Sequence, residues 1–137
     1  MARVDLVDET FVVAGPAEVA AVVHDPARWR VWWPDLDLAV FMDRGDAGIR
    51  WSVTGAVHGS TELWLEPVLD GVVVHYYLRG DDDEPASADP GDPGSLRARR
   101  AGDRLRDRRA RAWKASVNTL KDELEAGRAA GLPRAPR

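Results

Sequence analysis

The histidines and their acidic neighbours are the residues most capable of acid–base chemistry or metal binding in this chain. His75 and Glu66 fall on neighbouring predicted strands, and a carboxylate that orients an imidazole is the arrangement of a general-base dyad. The predicted alternation of side chains puts both on a charged outer face beside Arg50, which favours a row of surface ion pairs instead. His24 and His58 share no predicted face with an acidic cluster. No catalytic residue is therefore assigned.

Sequence motifs for nucleotide binding, covalent catalysis and metal binding are missing. No G-x-G-x-x-G, G-x-x-x-x-G-K or G-x-S-x-G pattern occurs. The chain has no cysteine, which excludes disulfides, thiolate metal sites and a cysteine nucleophile. The acidic run 81–84 lacks the glycine-punctuated spacing of a calcium loop. The sequence therefore predicts neither a cofactor nor a metal site.

The tryptophans and the residues predicted to lie near them are the best candidates for a binding site. Large aromatic side chains with few polar partners are typical of the walls of apolar pockets. Trp33 is expected near the mouth of such a pocket and Arg109 at one end, whereas Trp29 and Trp32 are assigned to the core. The candidate ligand-binding residues are Trp33, Trp51, Leu65, Tyr76, Arg109, Trp113 and Ser116.

A cluster of eight arginines lies between residues 97 and 111. Such a cluster can mark a surface for nucleic acid or an anionic membrane, but here the arginines surround the predicted helix and alternate with Asp103 and Asp107. Residues 1–95 carry 6 Arg and 18 acidic residues, whereas residues 96–137 carry 13 basic and 5 acidic ones. We therefore interpret the helix as a solvated element that complements an acidic body, and no nucleic-acid partner is expected.

The spacing of apolar residues and the positions of proline predict the first strand and the helices. Val4–Val13 predicts a strand, Pro16 begins a helix that ends at Asp25-Pro26, and Ala27–Trp33 predicts a second short helix. From Ser95, as an N-cap, helical signals continue to about Arg128. An apolar stripe on this helix consists of Trp113, Val117, Leu120 and Leu124. Residues 80–94 predict a mobile acidic loop and residues 129–137 a tail.

Turn residues predict the register of the remaining strands. Asp70-Gly71, as a two-residue hairpin turn, pairs Leu65 with Tyr76 and Trp64 with Tyr77. A three-residue loop at 57–59, with Gly59 left-handed, pairs Trp51 with Leu65 and aligns Arg50, Glu66 and His75 across three strands. A loop at 44–47 adds one more strand. The predicted inner face consists of Leu38, Val40, Met42, Trp51, Val53, Leu63, Leu65, Leu69, Val72, Val74, Tyr76 and Leu78.

Three segments resemble the START/Bet v 1-like (SRPBCC) superfamily, in its bacterial polyketide cyclase/dehydrase and lipid-transport branch. They are VAGPAEVAAVVHDPARWRVWWP (Val13–Pro34), GIRWSVTGAVHGSTELWLEPVLDGVVVHYYL (Gly48–Leu78) and WKASVNTLKDELEAGR (Trp113–Arg128). The resemblance implies an α+β helix-grip fold, with an antiparallel sheet packed on a long C-terminal helix and a cavity between them. The family's sheet commonly has seven strands, whereas the strand patterns of this sequence predict about five, so the cavity is expected to be small or open on one side.

Three classes of function are compatible with this resemblance, which supports fold more than function. The first is binding of a hydrophobic, lipid or polyketide-like molecule in the cavity. The second is a polyketide cyclase or dehydratase in which Tyr76 hydrogen-bonds a carbonyl and Arg109 anchors an anionic end. The third is an interaction module that uses an exposed Trp64–Tyr77 pair and the arginine-rich helix. The first is our prediction.

The location and domain organisation follow from the same composition. Residues 1–10 carry three acidic residues and no apolar segment of a signal peptide, and the longest apolar run, Val19–Val23, is too short to cross a bilayer. The expectation is one cytoplasmic domain spanning residues 1–137. The oligomeric state is not predicted.

Overall fold

The chain folds as an α+β helix-grip structure, which confirms the predicted fold class. The computed structural model describes residues 3–82 and 93–126, with the side chains of the last helix described from residue 96. The elements are β1 (Arg3–Val12), α1 (Pro16–Val23), α2 (Pro26–Trp32), β2 (Leu36–Asp43), β3 (Gly48–Gly55), β4 (Val57–Val68), β5 (Gly71–Asp82) and α3 (Pro93–Glu125). No helix in these ranges is long and apolar enough to cross a membrane.

The described strands form one antiparallel sheet in the order β1-β5-β4-β3-β2. One face is apolar and packs against α1, α2 and α3, as expected for an antiparallel sheet with a single covered side. The buried residues of that face are Val4, Leu6, Val12, Ile49, Trp51, Val53, Leu63, Leu65, Val72, Val74, Tyr76 and Leu78. From α3, the buried Trp113, Val117 and Leu120 lie on the predicted stripe.

The predicted register of β4 with β5 is wrong by two residues. Tyr76 lies opposite Leu63 and not Leu65, and His75, not Tyr77, lies opposite Trp64. The turn consists of Leu69 and Asp70, with positive φ at Leu69, whose side chain is 98% exposed and so is not on the inner face. Gly71 is instead the first residue of β5. Glycine is required there because a Cβ would lie 2.7 Å from the ring of Phe11 on β1.

The predicted loop between β3 and β4 is also wrong. Val53 lies opposite Gly59, and Trp51 lies opposite Thr61 and not Leu65. Gly59 is inside β4, where a Cβ would collide with the backbone of β5. The positive φ of this connection, +98°, is at Gly55, where a Cβ would lie 2.7 Å from the carbonyl oxygen of Asp35. The connection is therefore shorter and lies against the α2–β2 turn.

The edge strand β2 is only partly covered. The loop at 44–47 is confirmed, since Arg44 and a short 3₁₀ turn at 45–47 join β2 to β3. A bulge between Val40 and Met42 leaves both side chains exposed, at 49% and 41%. Their predicted burial on the inner face is wrong: the bulge places Met42 opposite Arg50, and Val40 lies on the edge strand of the described sheet.

The long helix α3 begins at Pro93, so Ser95 is inside it and is not its N-cap, and it ends at Glu125. Polar contacts hold its C-terminal half to β1 and to the residue that follows it. Lys114 Nζ lies 2.8 Å from Asp8 Oδ1, Lys121 Nζ donates to the Phe11 carbonyl at 2.7 Å, and the Val13 amide donates to Glu125 at 3.0 Å. The predicted acidic loop covered residues 80–94. Of these, 80–82 belong to β5 and 93–94 to α3, and 83–92 lie outside the described residues. The predicted tail also lies outside the described residues.

The strained turn residue Leu69 gives a test of the β4–β5 hairpin. Its φ of +52° places an L side chain in the left-handed region, at a cost of about 1–2 kcal/mol that glycine avoids. After the entropy cost of glycine, we expect Leu69→Gly to raise the free energy of unfolding by about 0.5–1 kcal/mol. Urea denaturation measures this change.

The matched control is Leu69→Ala, which removes the same exposed side chain but keeps the Cβ. Alanine should therefore show no comparable gain. Equal stability of the two variants would contradict a left-handed residue at this position.

Candidate ligand-binding site

Four aromatic residues, each from a different part of the chain, pack together between the sheet and α3. Trp113 from α3 stacks on Tyr76 from β5, with ring centroids 4.5 Å apart, and Trp33 stacks on both at 5.8–5.9 Å. Trp51 from β3 meets Trp33 edge to face at 5.3 Å. All four are at most 3% exposed. The predicted residues Trp33, Trp51, Tyr76 and Trp113 therefore form one cluster, the aromatic cluster, with Trp33 at its centre and not at a mouth.

The two short helices bring Trp33 into this cluster. Asp25 caps α2 by accepting a hydrogen bond from the Ala27 amide at 3.0 Å, and the Trp29 indole donates to the Val23 carbonyl at 2.7 Å. Arg28 forms a two-pronged ion pair with Glu123 of α3, at 2.8 and 3.2 Å, and this hydrogen bonding lowers the pKa of Glu123. These contacts hold α2 between the sheet and α3, with Trp33 directly after its last turn.

The hydroxyl of Tyr76 lies inside the cluster beside two polar side chains. Thr61 and Trp33 lower the pKa of this phenol, but burial has the larger effect. The Thr61 hydroxyl donates to the Tyr77 carbonyl at 2.8 Å. Burial raises the pKa of Tyr76 to about 12, so the phenol stays un-ionised near neutral pH.

Three other N–H groups of the same region are buried without an acceptor among the described residues. They are Nε1 of Trp51, Nε1 of Trp113 and Nε of Arg109. Buried donors without a partner are rare in proteins, since each loses its hydrogen bonds to water and gains none in return. Three buried N–H groups in and beside the aromatic cluster are therefore free to donate a hydrogen bond to a ligand, as far as the described residues show.

Arg109 lies at the end of the cluster and is held by an ion pair. Its Nη2 lies 2.6 Å from Asp35 Oδ2, and its side chain is 11% exposed. Asp35 is in the turn between α2 and β2, where its carbonyl oxygen accepts a hydrogen bond from the Ala56 amide at 3.1 Å. The charge of Arg109 is therefore already compensated by the protein, and its Nε is the part left without a partner.

A cavity of about 280 Å³ opens at this same end of the interface between sheet and helix. Its lining consists of Ala56, Asp82, Ala101, Arg104, Leu105 and Arg108. Ala101, Leu105, Arg109 and Trp113 follow one another at intervals of four residues and so form one ridge along α3. The ridge leads from the cavity to the unpartnered donors, over about 12 Å from Leu105 to Trp113.

The other two predicted site residues, Leu65 and Ser116, are not part of the aromatic cluster. Leu65 is 1% exposed on the inner face, opposite Val74. Ser116 is half-buried on α3, one turn after Trp113. Whether they bind a ligand stays a prediction, as it does for the aromatic cluster and Arg109.

The proposed acid–base pair is on the outer face of the sheet, where the sequence analysis put it. His75 Nε2 lies 3.1 Å from Glu66 Oε1. Nδ1 lies 3.3 Å from Glu9 Oε1, although the angle of this contact does not make it a hydrogen bond. Trp64 stacks on the imidazole at 4.2 Å. The three-strand row of Arg50, Glu66 and His75 is wrong, since Arg50 lies opposite Glu62.

A second cavity, of about 240 Å³, lies on this outer face. Its polar lining consists of Asp5, Arg50, Ser60, Glu62, Tyr77 and Arg79. Its charges are mixed, and Arg79 is paired with Asp5 at 3.0 Å. It lies on the opposite side of the sheet from the aromatic cluster.

Two residues of the candidate site were missed by sequence reasoning. Thr61 reaches Tyr76 from the inner face, and its odd number on β4, like those of Leu63 and Leu65, is a signal that could have found it. Asp35 reaches Arg109 across 74 positions of sequence, and no local pattern marks that pair.

The raised pKa of Tyr76 predicts a pH dependence of stability. The unfolded phenol ionises near pH 10 and the folded one near pH 12. The stabilisation from this group is therefore complete below pH 10 and is lost as the pH rises from 10 to 12, with a slope of about 1.4 kcal/mol per pH unit. Tyr76→Phe should lose this slope, which is measured as the wild-type minus variant difference in unfolding free energy between pH 9 and about 12.

Tyr77→Phe is the matched control, because it removes the neighbouring phenol from the opposite face of the same strand. It should keep the alkaline slope of Tyr76. A Tyr76→Phe variant with the wild-type alkaline slope would contradict the burial of an un-ionised phenol.

Solved structures with the same architecture were found at low sequence identity. The di-domain aromatase/cyclase StfQ from the steffimycin biosynthetic pathway superposes with a TM-score of 0.65 at 14% identity, over 91% of this chain and 51% of that one. A crystal structure of a protein from Deinococcus radiodurans gives 0.60 at 11% identity, over 90% and 98%. The Zhui aromatase/cyclase from a Streptomyces species gives 0.52 at 15% identity, over 95% and 99%.

These likenesses are structural and extend over nearly the whole chain. The chain spans about half the length of the di-domain StfQ. No protein-family model matches the sequence, and no curated protein matches it. The chain has the same helix-grip fold as these two aromatase/cyclases, the fold that its sequence resemblance predicted.

Proposed function

We propose that the protein binds a hydrophobic small molecule bearing a carbonyl or similar oxygen acceptor, between the sheet and α3. The observation that carries this proposal is the set of buried N–H groups of Trp51, Trp113 and Arg109, which have no acceptor among the described residues. An apolar ligand surrounded by aromatic rings gains from burial, and an acceptor oxygen on it satisfies a donor that is otherwise left unpaired. Lipids and polyketide-like molecules combine these two properties.

The cavity at the end of the interface is the proposed route to these donors. It has an apolar side made by Ala56, Ala101 and Leu105, and its volume of about 280 Å³ is near the lower end of the range for small-molecule sites. The helical ridge that lines it continues to Arg109 and Trp113. A ligand that enters here meets the edge of the aromatic cluster first and the indole donors beyond it.

Binding, and not catalysis, is the function supported by the chemistry of these side chains. The aromatic cluster contains no carboxylate or imidazole among the described residues, and the phenol of Tyr76 keeps its proton near neutral pH. The alternative, a polyketide cyclase or dehydratase, would act by positioning the chain. It would also require the buried hydroxyl of Tyr76 to reach a substrate carbonyl, and it would need Arg109 to leave Asp35 before binding an anionic end.

The remaining alternative, an interaction module, has less support from the geometry. Trp64 and Tyr77 are half-buried and are not opposite each other. Trp64 lies opposite His75, which stacks against it, and Tyr77 lies opposite Glu62. The two side chains therefore do not form the exposed aromatic pair that this alternative needs.

A pair of matched probes tests whether the indole donors recognise an oxygen acceptor. The probes are methyl naphthyl ketone and isopropenylnaphthalene, in which a CH₂ group replaces the carbonyl oxygen. The wild-type protein should bind both with quenching of tryptophan emission and should prefer the ketone by up to about tenfold, which is the worth of one hydrogen bond. Trp113→Phe or Trp51→Phe keeps a buried ring but removes the donor, so at least one of them should abolish the preference.

Trp64→Phe on the outer face is the control and should leave both affinities unchanged. Absence of binding for both probes would overturn the proposed function. Binding of both with no preference would overturn the role of the donors.

A further inference from the structure

The mouth of the cavity carries a pair of arginines that the proposed function does not use. Arg104 and Arg108 are one helical turn apart on α3, and both line the cavity of about 280 Å³. Both side chains are exposed, and neither forms an ion pair with a described residue. Three apolar residues, Ala56, Ala101 and Leu105, form the floor beside them, and the rest of the lining is polar.

Among the described residues that line the cavity, the arginine pair outnumbers the acidic groups. Arg109, the nearest further cation on the helix, is compensated by Asp35 at 2.6 Å. Asp82, at the end of β5, lines the same cavity and is 7% exposed. The described lining therefore holds two guanidinium groups and one carboxylate.

Other basic residues of α3 differ from Arg104 and Arg108 in that they form ion pairs with described residues. Arg106 is bound to its neighbour Asp107 at 2.9 Å, and Lys114 is bound to Asp8 of β1. Arg104 and Arg108 sit instead at the edge of an apolar floor, where a planar guanidinium can donate two hydrogen bonds to one carboxylate or phosphate. The arrangement fits a molecule that is apolar at one end and anionic at the other.

The dimensions of the ridge indicate how such a molecule would lie. From Leu105 at the cavity to Trp113 in the aromatic cluster, α3 rises about 12 Å. An extended acyl chain of about that length reaches from the arginines to the indole donors. An anionic group at the mouth would stay in contact with water while the chain replaces water along the ridge.

We propose that Arg104 and Arg108 form a subsite for the anionic end of an amphipathic ligand, a carboxylate or a phosphate monoester on an acyl-type chain. This inference rests on the proposed function, because the same ligand's apolar part occupies the space between sheet and helix. It makes the protein selective for the charge of its ligand as well as for its apolar surface.

The test compares ligands that share one chain and differ in the end group. Dodecanoate, dodecyl phosphate, dodecanol and dodecyltrimethylammonium are each titrated into the full chain by calorimetry below their micelle-forming concentrations. We expect the two anions to bind about tenfold or more tightly than the alcohol, since a charge-assisted hydrogen bond is worth more than a neutral one. The cation should bind most weakly. The ratio of dodecanoate to dodecyl phosphate distinguishes a carboxylate ligand from a phosphate one.

Two double variants with the same change of net charge separate a site from general attraction. Arg104→Gln with Arg108→Gln removes the pair at the cavity and should reduce the preference for anion over alcohol to less than about threefold, with the affinity for dodecanol unchanged. Arg99→Gln with Arg106→Gln removes two exposed arginines from the opposite face of α3 and should keep the preference. Asp82→Asn should tighten dodecanoate binding and leave dodecanol binding unchanged.

Each other outcome overturns a definite part of the proposal. If dodecanoate and dodecanol bind equally well, the anionic subsite fails and the proposed function stands. If no ligand of the series binds, both fail. If both double variants lose the preference equally, or if the protein binds anionic lipid vesicles with equal losses in both, the arginines act as a diffuse basic surface and the subsite is wrong.

Discussion

The contact on which the rest of this structure depends is the stack of Trp33, Tyr76 and Trp113. Each ring comes from a different element, namely the end of α2, strand β5 and helix α3. The stack therefore sets how far the helix lies from the sheet and where the α2–β2 turn passes. The position of Asp35 in that turn then determines where Arg109 is held, and with it the end of the helix–sheet interface at which the cavity opens.

The two halves of α3 are held by different forces. Lys114 and Lys121 bind β1, and Arg28 binds Glu123, so the C-terminal half is fixed to both the sheet and α2. In the N-terminal half, Arg109 is the arginine with a described ion pair to the body, and six of its neighbours make none with the described residues. This division puts arginines without an ion pair to the described residues over the cavity and apolar packing beyond it, so one helix would provide both ends of the proposed amphipathic site.

The errors in strand register show which physical signals are reliable. The β4–β5 prediction slipped by two residues and the β3–β4 prediction by four, so every slip was even and each inner-face residue of β4 and β5 except Leu69 kept its face. Alternation is set by burial, which affects every residue of a strand. The turn is set by one or two residues, and here glycine was a misleading signal, because Gly59 and Gly71 are needed where neighbouring strands approach closely and not for positive φ.

The sequence by itself determined the order of the elements, the inner face of the central strands and the apolar stripe of α3, because periodicity records which side chains avoid water. It also placed His75 and Glu66 on the outer face. Only the tertiary structure decided that Trp33 is central, that Asp35 compensates Arg109, that Thr61 lies beside Tyr76 and that Arg104 and Arg108 share a cavity. These contacts join residues far apart in the chain, and their partners are chosen by the distance between packed elements, a quantity that no local pattern encodes.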